Sequence, residues 1–342
     1  MGATGVDPGP GTAGYRYAEI DALKALGILT VVLIHSVSTP WLQSQTPGER
    51  WVLAVTRFAV PGFLFASGFL YSTRNAVPRA TTVGRVRRVL LPYLVASAVA
   101  QARRYLMGGH ISLGTIAYDL VTGSSLNPYY YVFVLFWLIL LTPALARLPE
   151  RRIPLVCTVL LALQVADELG IFHFSTTWAW RNPLRWGAYF VLGWLFRLHY
   201  SPWTRWVVAS RRWLGTTLAS LVAAAWIAMA ALDQPLATIA AWLHTYAMIC
   251  AIVVLARGPR RHSATLEWLS NATYAIYLYH IYFIWMATGI VWMWVPAAAR
   301  PGQGGIGAFL FSRWAAGMAG SLGMIAVARR CAGSRSRQWL GA

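Results

Sequence analysis

The feature that most restricts the fold of this chain is a series of about ten apolar runs, most of them long enough to cross a lipid bilayer. Crossing about 30 Å of hydrocarbon takes roughly 20 mostly apolar residues, and lipid offers no hydrogen-bond partners, so such segments must be helical. The run at 153–170 is short and carries Asp167 and Glu168 near its end. The series predicts an all-α, polytopic membrane helix bundle of about ten transmembrane helices. The candidate spans are 20–38, 52–72, 89–107, 128–147, 153–170, 183–199, 213–232, 236–256, 272–294 and 306–328.

The composition identifies the lipid bilayer as the main partner and argues against nucleic acid. Of the 342 residues, 58% are hydrophobic and only 11% are charged, whereas soluble domains have about 25% charged residues. The net charge of +19 could suggest nucleic-acid binding. However, the arginines form short clusters between apolar runs, and no nucleic-acid-binding motif accompanies them. We therefore expect no nucleic acid among the partners.

The arginine clusters also predict the orientation of the bundle. Nineteen arginines fall in one set of alternate loops and six in the other. Because basic loops stay on the cytoplasmic side, both termini should be cytoplasmic and the protein should be a multi-pass protein of the inner (plasma) membrane. We expect a flexible tail at 1–15, a transmembrane domain at 16–330 and a basic cytoplasmic tail at 331–342. The outward loops around 108–127 and 167–182 are candidates for lids or acceptor contacts.

Lys24 and His35 are two ionisable residues within the first apolar run. Eleven positions at about 100° each make nearly three full turns, so both side chains face the same way, about 16 Å apart along the axis. Lys24 alone could extend to the interface beside Asp21, and His35 alone could be a neutral histidine bonded to a neighbouring helix. Neither interpretation explains the shared face, which predicts one wall of a polar channel.

Four stretches of the sequence form an ordered set of motifs: YRYAEIDALKALGILTVVLIHS, RFAVPGFLFASGFLYS, RVRRVLLPYL and LSNATYAIYLYHIYFIW. In this order they resemble the acyltransferase 3 family of integral membrane acyltransferases, whose first span has Arg or Lys, ten residues and then His. YFVLGWLF is a weaker match to the same family. The resemblance covers the chain from about residue 15. It departs from the family pattern at Lys24, where Arg is commoner, at Thr273, where Ser is usual, and at Asn127-Pro-Tyr-Tyr-Tyr, which replaces a His-Leu-Trp-like segment.

The resemblance implies transfer of an acyl group, often acetyl, from cytoplasmic acyl-CoA to a hydroxyl of a carbohydrate or glycosylated acceptor. Acyl-CoA would be the donor substrate, with no bound cofactor and no metal ion. Lys24 and His35 would be the catalytic residues, and the phosphate-rich head of the donor would need cations such as those of Arg85, Arg87, Arg88 and Lys24. His35 could act as general base or as an acyl-histidine relay, and the residues leave this choice open.

Four further residues are candidates for supporting roles. The oxyanion that develops during transfer needs a donor, and Arg57, Ser67 and Tyr71 in the second span could provide it. Arg57 could equally be an arginine at the membrane interface. His280 lies within a late span and could be a core histidine, but the resemblance favours a role near the site.

Two functions from other classes remain as alternatives. A transporter or flippase for a glycan or lipid could use Lys24 and His35 to line its path, but no internal repeat of the kind common in transporters is visible. A membrane scaffold without activity would not need the two aligned residues. The three cysteines form no CxxC pair, so neither a disulfide framework nor a metal site is predicted.

Overall fold

The fold is that of a computed structural model, which describes residues 16–37, 47–232, 236–257, 263–294, 306–333 and 335–341. The predicted tail at 1–15 lies outside these residues. The described part contains no strand, and short 3-10 segments at Asn127–Tyr129 and Glu150–Arg152 connect some of its helices. In chain order the helices are α1 Ala18–Val37, α2 Pro47–Thr56, α3 Ala59–Tyr71, α4 Arg79–Leu106, α5 Leu113–Thr122, α6 Tyr130–Arg147, α7 Ile153–Glu168, α8 Thr176–Ala179, α9 Pro183–Leu198, α10 Tyr200–Ala231, α11 Leu236–Ala256, α12 Ala264–Trp294, α13 Ile306–Ala332 and α14 Arg335–Leu340.

The all-helical prediction is confirmed for the described residues, whereas the number of spans is confirmed only in part. Within the described part of the chain, seven helical segments are long and apolar enough to cross a membrane. Three helices that overlap predicted spans are not among them: α7 and α9 have only 16 residues each, and α4 carries arginines at both ends of its apolar stretch. The total of ten spans and the cytoplasmic position of both termini therefore stay predictions.

The second predicted span is interrupted at Arg57, where α2 ends and α3 has not yet begun. Pro61 lies four residues further on. Proline has no N–H to donate to the carbonyl four residues earlier, and its ring clashes with that carbonyl. The break therefore follows from Pro61, and Arg57 is exposed at this break.

Glycines allow two pairs of helices to pack closely. A Cβ atom at Gly68 of α3 would lie 1.9 Å from the Phe190 carbonyl oxygen of α9, and one at Gly193 of α9 would lie 2.0 Å from the Phe65 carbonyl oxygen of α3. The two backbones thus touch where any other residue would force them apart. In α13, a Cβ atom at Gly320 would meet the Phe283 ring of α12 at 2.3 Å. Small residues at such contacts are typical of helix packing in membranes.

Helix α1 lies at the centre of the bundle and packs against α3, α11, α12 and α13. Its first turns are fixed by buried acidic residues: Glu19 accepts hydrogen bonds from Tyr200 and Arg257, at 2.6 and 3.0 Å, and Asp21 accepts one from Ser270 at 2.6 Å. Buried carboxylates of this kind need such partners. The contact of Asp21 with α12 near both helix starts, together with the one between His35 and His280 farther along, means that α1 and α12 run in the same direction.

The described residues of the predicted basic tail at 331–342 are mostly helical. Helix α13 continues to Ala332, and α14 then packs against α4 and α13, with Ser336 buried. Gly341 lies close to the Tyr274 ring of α12. The end of the described chain therefore belongs to the bundle surface near the first turns of α12.

Candidate functional site

Lys24 lines a cavity of about 210 Å³, the Lys24 cavity, between α1, α3, α4, α6 and α12. Its walls include Arg88 from α4 and Ser67 and Tyr71 from α3. One predicted donor-binding arginine, Arg88, therefore lies beside Lys24. The full lining is Lys24, Phe63, Ala66, Ser67, Leu70, Tyr71, Arg88, Val89, Tyr131, Leu135, Ser270, Asn271, Thr273, Tyr274 and Tyr277.

The amine of Lys24 makes no ion pair or hydrogen bond with any described residue, although Asp21 is only three positions away. Asp21 is instead occupied by Arg16, at 2.8 Å, and by the Ser270 hydroxyl. An ammonium group in a half-buried position is costly to leave without a counter-charge. The cavity thus presents an amine that is available to an anionic ligand, while Asp21 acts on its charge without a direct contact.

The other two predicted donor-binding arginines do not line this cavity. Arg85 lies behind Tyr71, which lines the cavity. Its guanidinium carbon is 4.7 Å from the centre of the Tyr71 ring, and one of its nitrogens donates a hydrogen bond of 3.3 Å to the Tyr71 carbonyl oxygen. Arg87 is exposed on α4. Arg85 can therefore orient the Tyr71 wall, whereas Arg87 has no described contact with the site.

His35 lines a second and larger cavity of about 510 Å³, the His35 cavity. The ring nitrogens of His35 make no hydrogen bond with a described residue. The wall opposite is mostly aromatic, and its charged members are Arg57, Arg185 and Glu168. The full lining is Val31, Ile34, His35, Leu53, Ala54, Arg57, Val60, Pro61, Asn127, Pro128, Tyr130, Glu168, Trp180, Arg185, Trp186, Tyr189, Thr238, Ala241, Trp242, Thr245 and Tyr277.

His280 contacts His35 directly, with their ring centres 5.2 Å apart. Its Nδ1 lies 2.9 Å from the Ile276 carbonyl oxygen. Because a carbonyl can only accept, Nδ1 carries the hydrogen and Nε2 of the neutral ring is an acceptor. This Nε2 is buried and has no hydrogen-bond partner among the described residues. The arrangement provides His35 with a neighbouring acceptor of fixed tautomer.

Arg313 of α13 holds the end of α1 that carries His35. This arginine is only 1% exposed. Its guanidinium donates one hydrogen bond to the Ser36 carbonyl oxygen and another, of 3.3 Å, to that of His35. The last carbonyl groups of a helix have no partner within the helix, and a cation there also complements the helix dipole. Arg313 therefore fixes the backbone beneath the His35 side chain.

The three candidate oxyanion donors are divided between the two cavities. Ser67 and Tyr71 line the Lys24 cavity, and only Arg57 lines the cavity that contains His35. This separation follows from the direction of α3, whose start lies toward His35 and whose end lies toward Lys24. The guanidinium of Arg57 makes no ion pair with the described residues, so it is available to a ligand of the His35 cavity.

On the far wall of the His35 cavity, the positive charge of Arg185 is paired with the carboxylates of Glu168 and Asp167. Arg185 of α9 lies 2.7 Å from the Glu168 carboxylate and 3.6 Å from that of Asp167. The Arg185 guanidinium also lies 5.2 Å from the centre of the Trp180 ring. Trp180 belongs to the predicted outward loop 167–182, so this loop does contribute to the cavity wall.

The predicted polar channel is, in the structure, a pair of cavities that meet at one side chain. Tyr277 is the single described residue that lines both. Its ring is only 3% exposed, and its hydroxyl donates a hydrogen bond to the Pro128 carbonyl oxygen. Lys24 and His35 thus share a face of α1, as predicted, but the space between them is divided.

Sequence reasoning missed Arg313 and the role of Tyr277. An arginine within the last apolar run is a signal for Arg313, because a charge inside a membrane span must face protein or water. Tyr277 lies within a motif that the sequence does single out, yet nothing in the spacing distinguishes it from the neighbouring tyrosines. The described residues contain no group of three His, Cys, Asp or Glu side chains that could hold a metal ion.

Comparison with known proteins identifies the family of the chain. Residues 17–328 match the acyltransferase 3 family, which is described as an acyltransferase domain. No curated protein and no solved structure matches the chain. The family match spans nearly the whole sequence and includes Lys24, His35, Arg57, Tyr277 and Arg313. The chain is therefore a membrane protein of the acyltransferase 3 family, which indicates an acyltransferase.

Proposed function

We propose that this protein is an integral O-acyltransferase of the inner (plasma) membrane, which moves an acyl group, such as acetyl, from cytoplasmic acyl-CoA to a hydroxyl of a carbohydrate or glycosylated acceptor. The observation that carries the proposal is the alignment of Lys24 and His35 on one face of α1, each in its own cavity. The family match supports the acyl transfer, and the contents of the two cavities support the donor and the acceptor.

The Lys24 cavity is suited to the donor. Acyl-CoA has an anionic, phosphate-rich head and a long thin arm that ends in the thioester. Lys24, which makes no direct ion pair with a described residue, and Arg88, which lines the same cavity, provide two cations for the anionic part. The arm would then extend along α1 toward His35, about 16 Å away.

The His35 cavity is suited to a sugar acceptor. Its wall of Trp180, Trp186, Tyr189 and Trp242 offers flat apolar faces on which the C–H faces of a sugar ring can pack. A few polar groups on the same wall, among them Glu168, can bond the hydroxyls and fix the orientation.

The transfer uses the neutral imidazole of His35 as general base. One ring nitrogen accepts the proton of the acceptor hydroxyl while the oxygen attacks the thioester carbonyl, and the oxygen–carbon bond forms as the carbon–sulfur bond breaks. The proton then passes from His35 to the departing CoA thiolate, which leaves as the thiol. Nε2 of His280 can accept a hydrogen bond from the other ring nitrogen and orient the base, and Arg57 can stabilise the oxyanion.

Ten spans and cytoplasmic termini complete the proposal. The excess of arginines in alternate loops supports this orientation. The parallel course of α1 and α12 also supports it, because these helices would be the first and ninth spans and would cross in the same direction.

The test is transfer from labelled acetyl-CoA in membranes of a deletion strain that express the protein. Wild type should transfer label to the carbohydrate fraction, and His35→Ala should abolish transfer although the protein still inserts. His110→Ala is the matched control, because His110 is exposed in the loop before α5. Undiminished transfer in His35→Ala would remove His35 from the mechanism. Movement of a glycan across vesicles without any acyl donor would favour a transporter.

A further inference from the structure

Tyr277 occupies the boundary between the Lys24 cavity and the His35 cavity. No other described residue lines both. The side chain belongs to α12, and its ring lies within one turn of His280, at a distance of 6.4 Å between ring centres. The boundary is thus adjacent to the pair formed by His35 and His280.

The Tyr277 ring is held from several sides. Its hydroxyl donates a hydrogen bond to the Pro128 carbonyl oxygen, and Pro128 lines the His35 cavity. The ring of Tyr131, which lines the Lys24 cavity, meets it edge-on at 5.2 Å between ring centres. The Tyr274 ring lies nearly parallel to it, at 6.3 Å and 11°. A buried aromatic side chain with these partners keeps a fixed position, so a group that moves between the cavities must pass beside the ring and cannot displace it.

The other half of this boundary comes from the segment Asn127-Pro-Tyr-Tyr-Tyr, where the sequence departs from the pattern of its family. Tyr130 of this segment lines the His35 cavity, and the next residue, Tyr131, lines the Lys24 cavity. Tyr129, the first of the three tyrosines, donates a hydrogen bond of 2.7 Å to the Leu278 carbonyl oxygen of α12. The segment and α12 are therefore linked at the level of Tyr277, and both contribute to the boundary.

We propose that Tyr277 is the specificity-determining residue for the acyl group, and that it admits small groups such as acetyl to His35 while it excludes branched or aromatic ones. The inference rests on the proposed function. The acyl group is the leading end of the donor arm, so it has to pass the Tyr277 ring before the thioester carbonyl can reach His35. The room that the Tyr277 ring leaves between the two cavities then decides which acyl groups react.

The expected size of the discrimination follows from packing. A wall that cannot yield changes kcat/KM by about 10- to 200-fold for each added methylene group. A benzoyl or isobutyryl group exceeds acetyl by more than one such unit. Removal of the Tyr277 ring should therefore change the relative rates by at least about tenfold.

The experiment measures release of the CoA thiol from acetyl-, isobutyryl- and benzoyl-CoA by membranes of the deletion strain that express each variant. Wild type should strongly prefer acetyl-CoA. Tyr277→Ala should raise the benzoyl-to-acetyl ratio of kcat/KM by about tenfold or more. Tyr277→Phe should keep the preference of wild type, because the ring remains. Should Tyr277→Ala not accumulate, Tyr277→Leu, which retains more of the buried volume, is measured for the same ratio.

Tyr279→Ala is the matched control. It removes an equally large buried ring from the same helix, but Tyr279 lines neither cavity. The benzoyl-to-acetyl ratio of kcat/KM in Tyr279→Ala should stay within about twofold of the wild-type ratio. A ratio that does not change in active Tyr277→Ala, or that rises equally in Tyr279→Ala, would overturn the inference and leave the proposed function intact. If wild type releases no CoA from any donor, the proposed function itself fails.

Discussion

Arg313 in α13 donates a hydrogen bond of 3.3 Å to the backbone carbonyl oxygen of His35 at the end of α1. The residues are 278 positions apart in the chain. The guanidinium is almost fully buried, and it also bonds the Ser36 carbonyl oxygen. The position of His35 thus depends on the last long helix of the bundle as well as on its own helix.

Replacing Arg313 should therefore lower both stability and activity. Arg313→Met leaves the buried Ser36 carbonyl group and the partly buried His35 carbonyl group without this partner, at a cost of about 1–3 kcal/mol for the buried one and less for the other. Arg313→Lys keeps the charge but not the planar fork, so it should be intermediate. Thermal unfolding of the purified protein and the rate of acyl transfer measure the two effects.

Arg211→Met serves as the control for Arg313. Arg211 also donates to a helix-end carbonyl, that of Leu255, at 2.9 Å, but it does so at an exposed position. Its replacement should change the unfolding temperature little. Equal effects of the two replacements would show that burial of the Arg313 bonds is unimportant.

Lys24 should affect donor binding more than the chemical step. In Lys24→Met the cavity loses its unpaired amine, and the KM for acyl-CoA should rise about tenfold, which corresponds to 1.4 kcal/mol, while kcat changes less. Lys24→Arg should retain more function because it keeps the charge. Steady-state kinetics with varied acetyl-CoA measure this, and Arg79→Met, at the exposed start of α4, is the control. An unchanged KM in Lys24→Met would argue against a phosphate-binding role.

The contact between α3 and α9 should not tolerate a methyl group. In Gly193→Ala the new Cβ atom would lie 2.0 Å from the Phe65 carbonyl oxygen, so the helices must separate. We expect a loss of about 1–3 kcal/mol or more, visible as a lower unfolding temperature or as failure to accumulate. Gly289→Ala is the control, since nothing lies within 4 Å of its Cβ position. A normal unfolding temperature for Gly193→Ala would contradict the close contact.

Cys331 reports the orientation of the bundle. It is an exposed free cysteine at the end of α13, next to Arg329 and Arg330. If the C-terminus is cytoplasmic, a membrane-impermeant maleimide should label Cys331 in inside-out vesicles but not in intact cells, in a protein whose other two cysteines are replaced. A cysteine introduced at His110 should show the opposite pattern. Labelling of Cys331 in intact cells would reverse the predicted topology.

The sequence by itself determined the helical, membrane-embedded class and the shared face of Lys24 and His35. Both follow from local rules, because about 20 apolar residues without outside hydrogen-bond partners must form a helix, and the helical repeat then fixes which side chains share a face. The resemblance to a family, now supported by a match over residues 17–328, also came from short linear motifs.

Only the tertiary structure decided what surrounds these two residues. It separated Ser67 and Tyr71 from His35, left Arg57 beside it, and brought Arg313 and Tyr277 to positions that no spacing predicts. The physical reason is that such contacts join helices distant in the chain, and they depend on how side chains of several helices pack against each other. The period of one helix specifies the direction of a side chain, but not the partner that it meets.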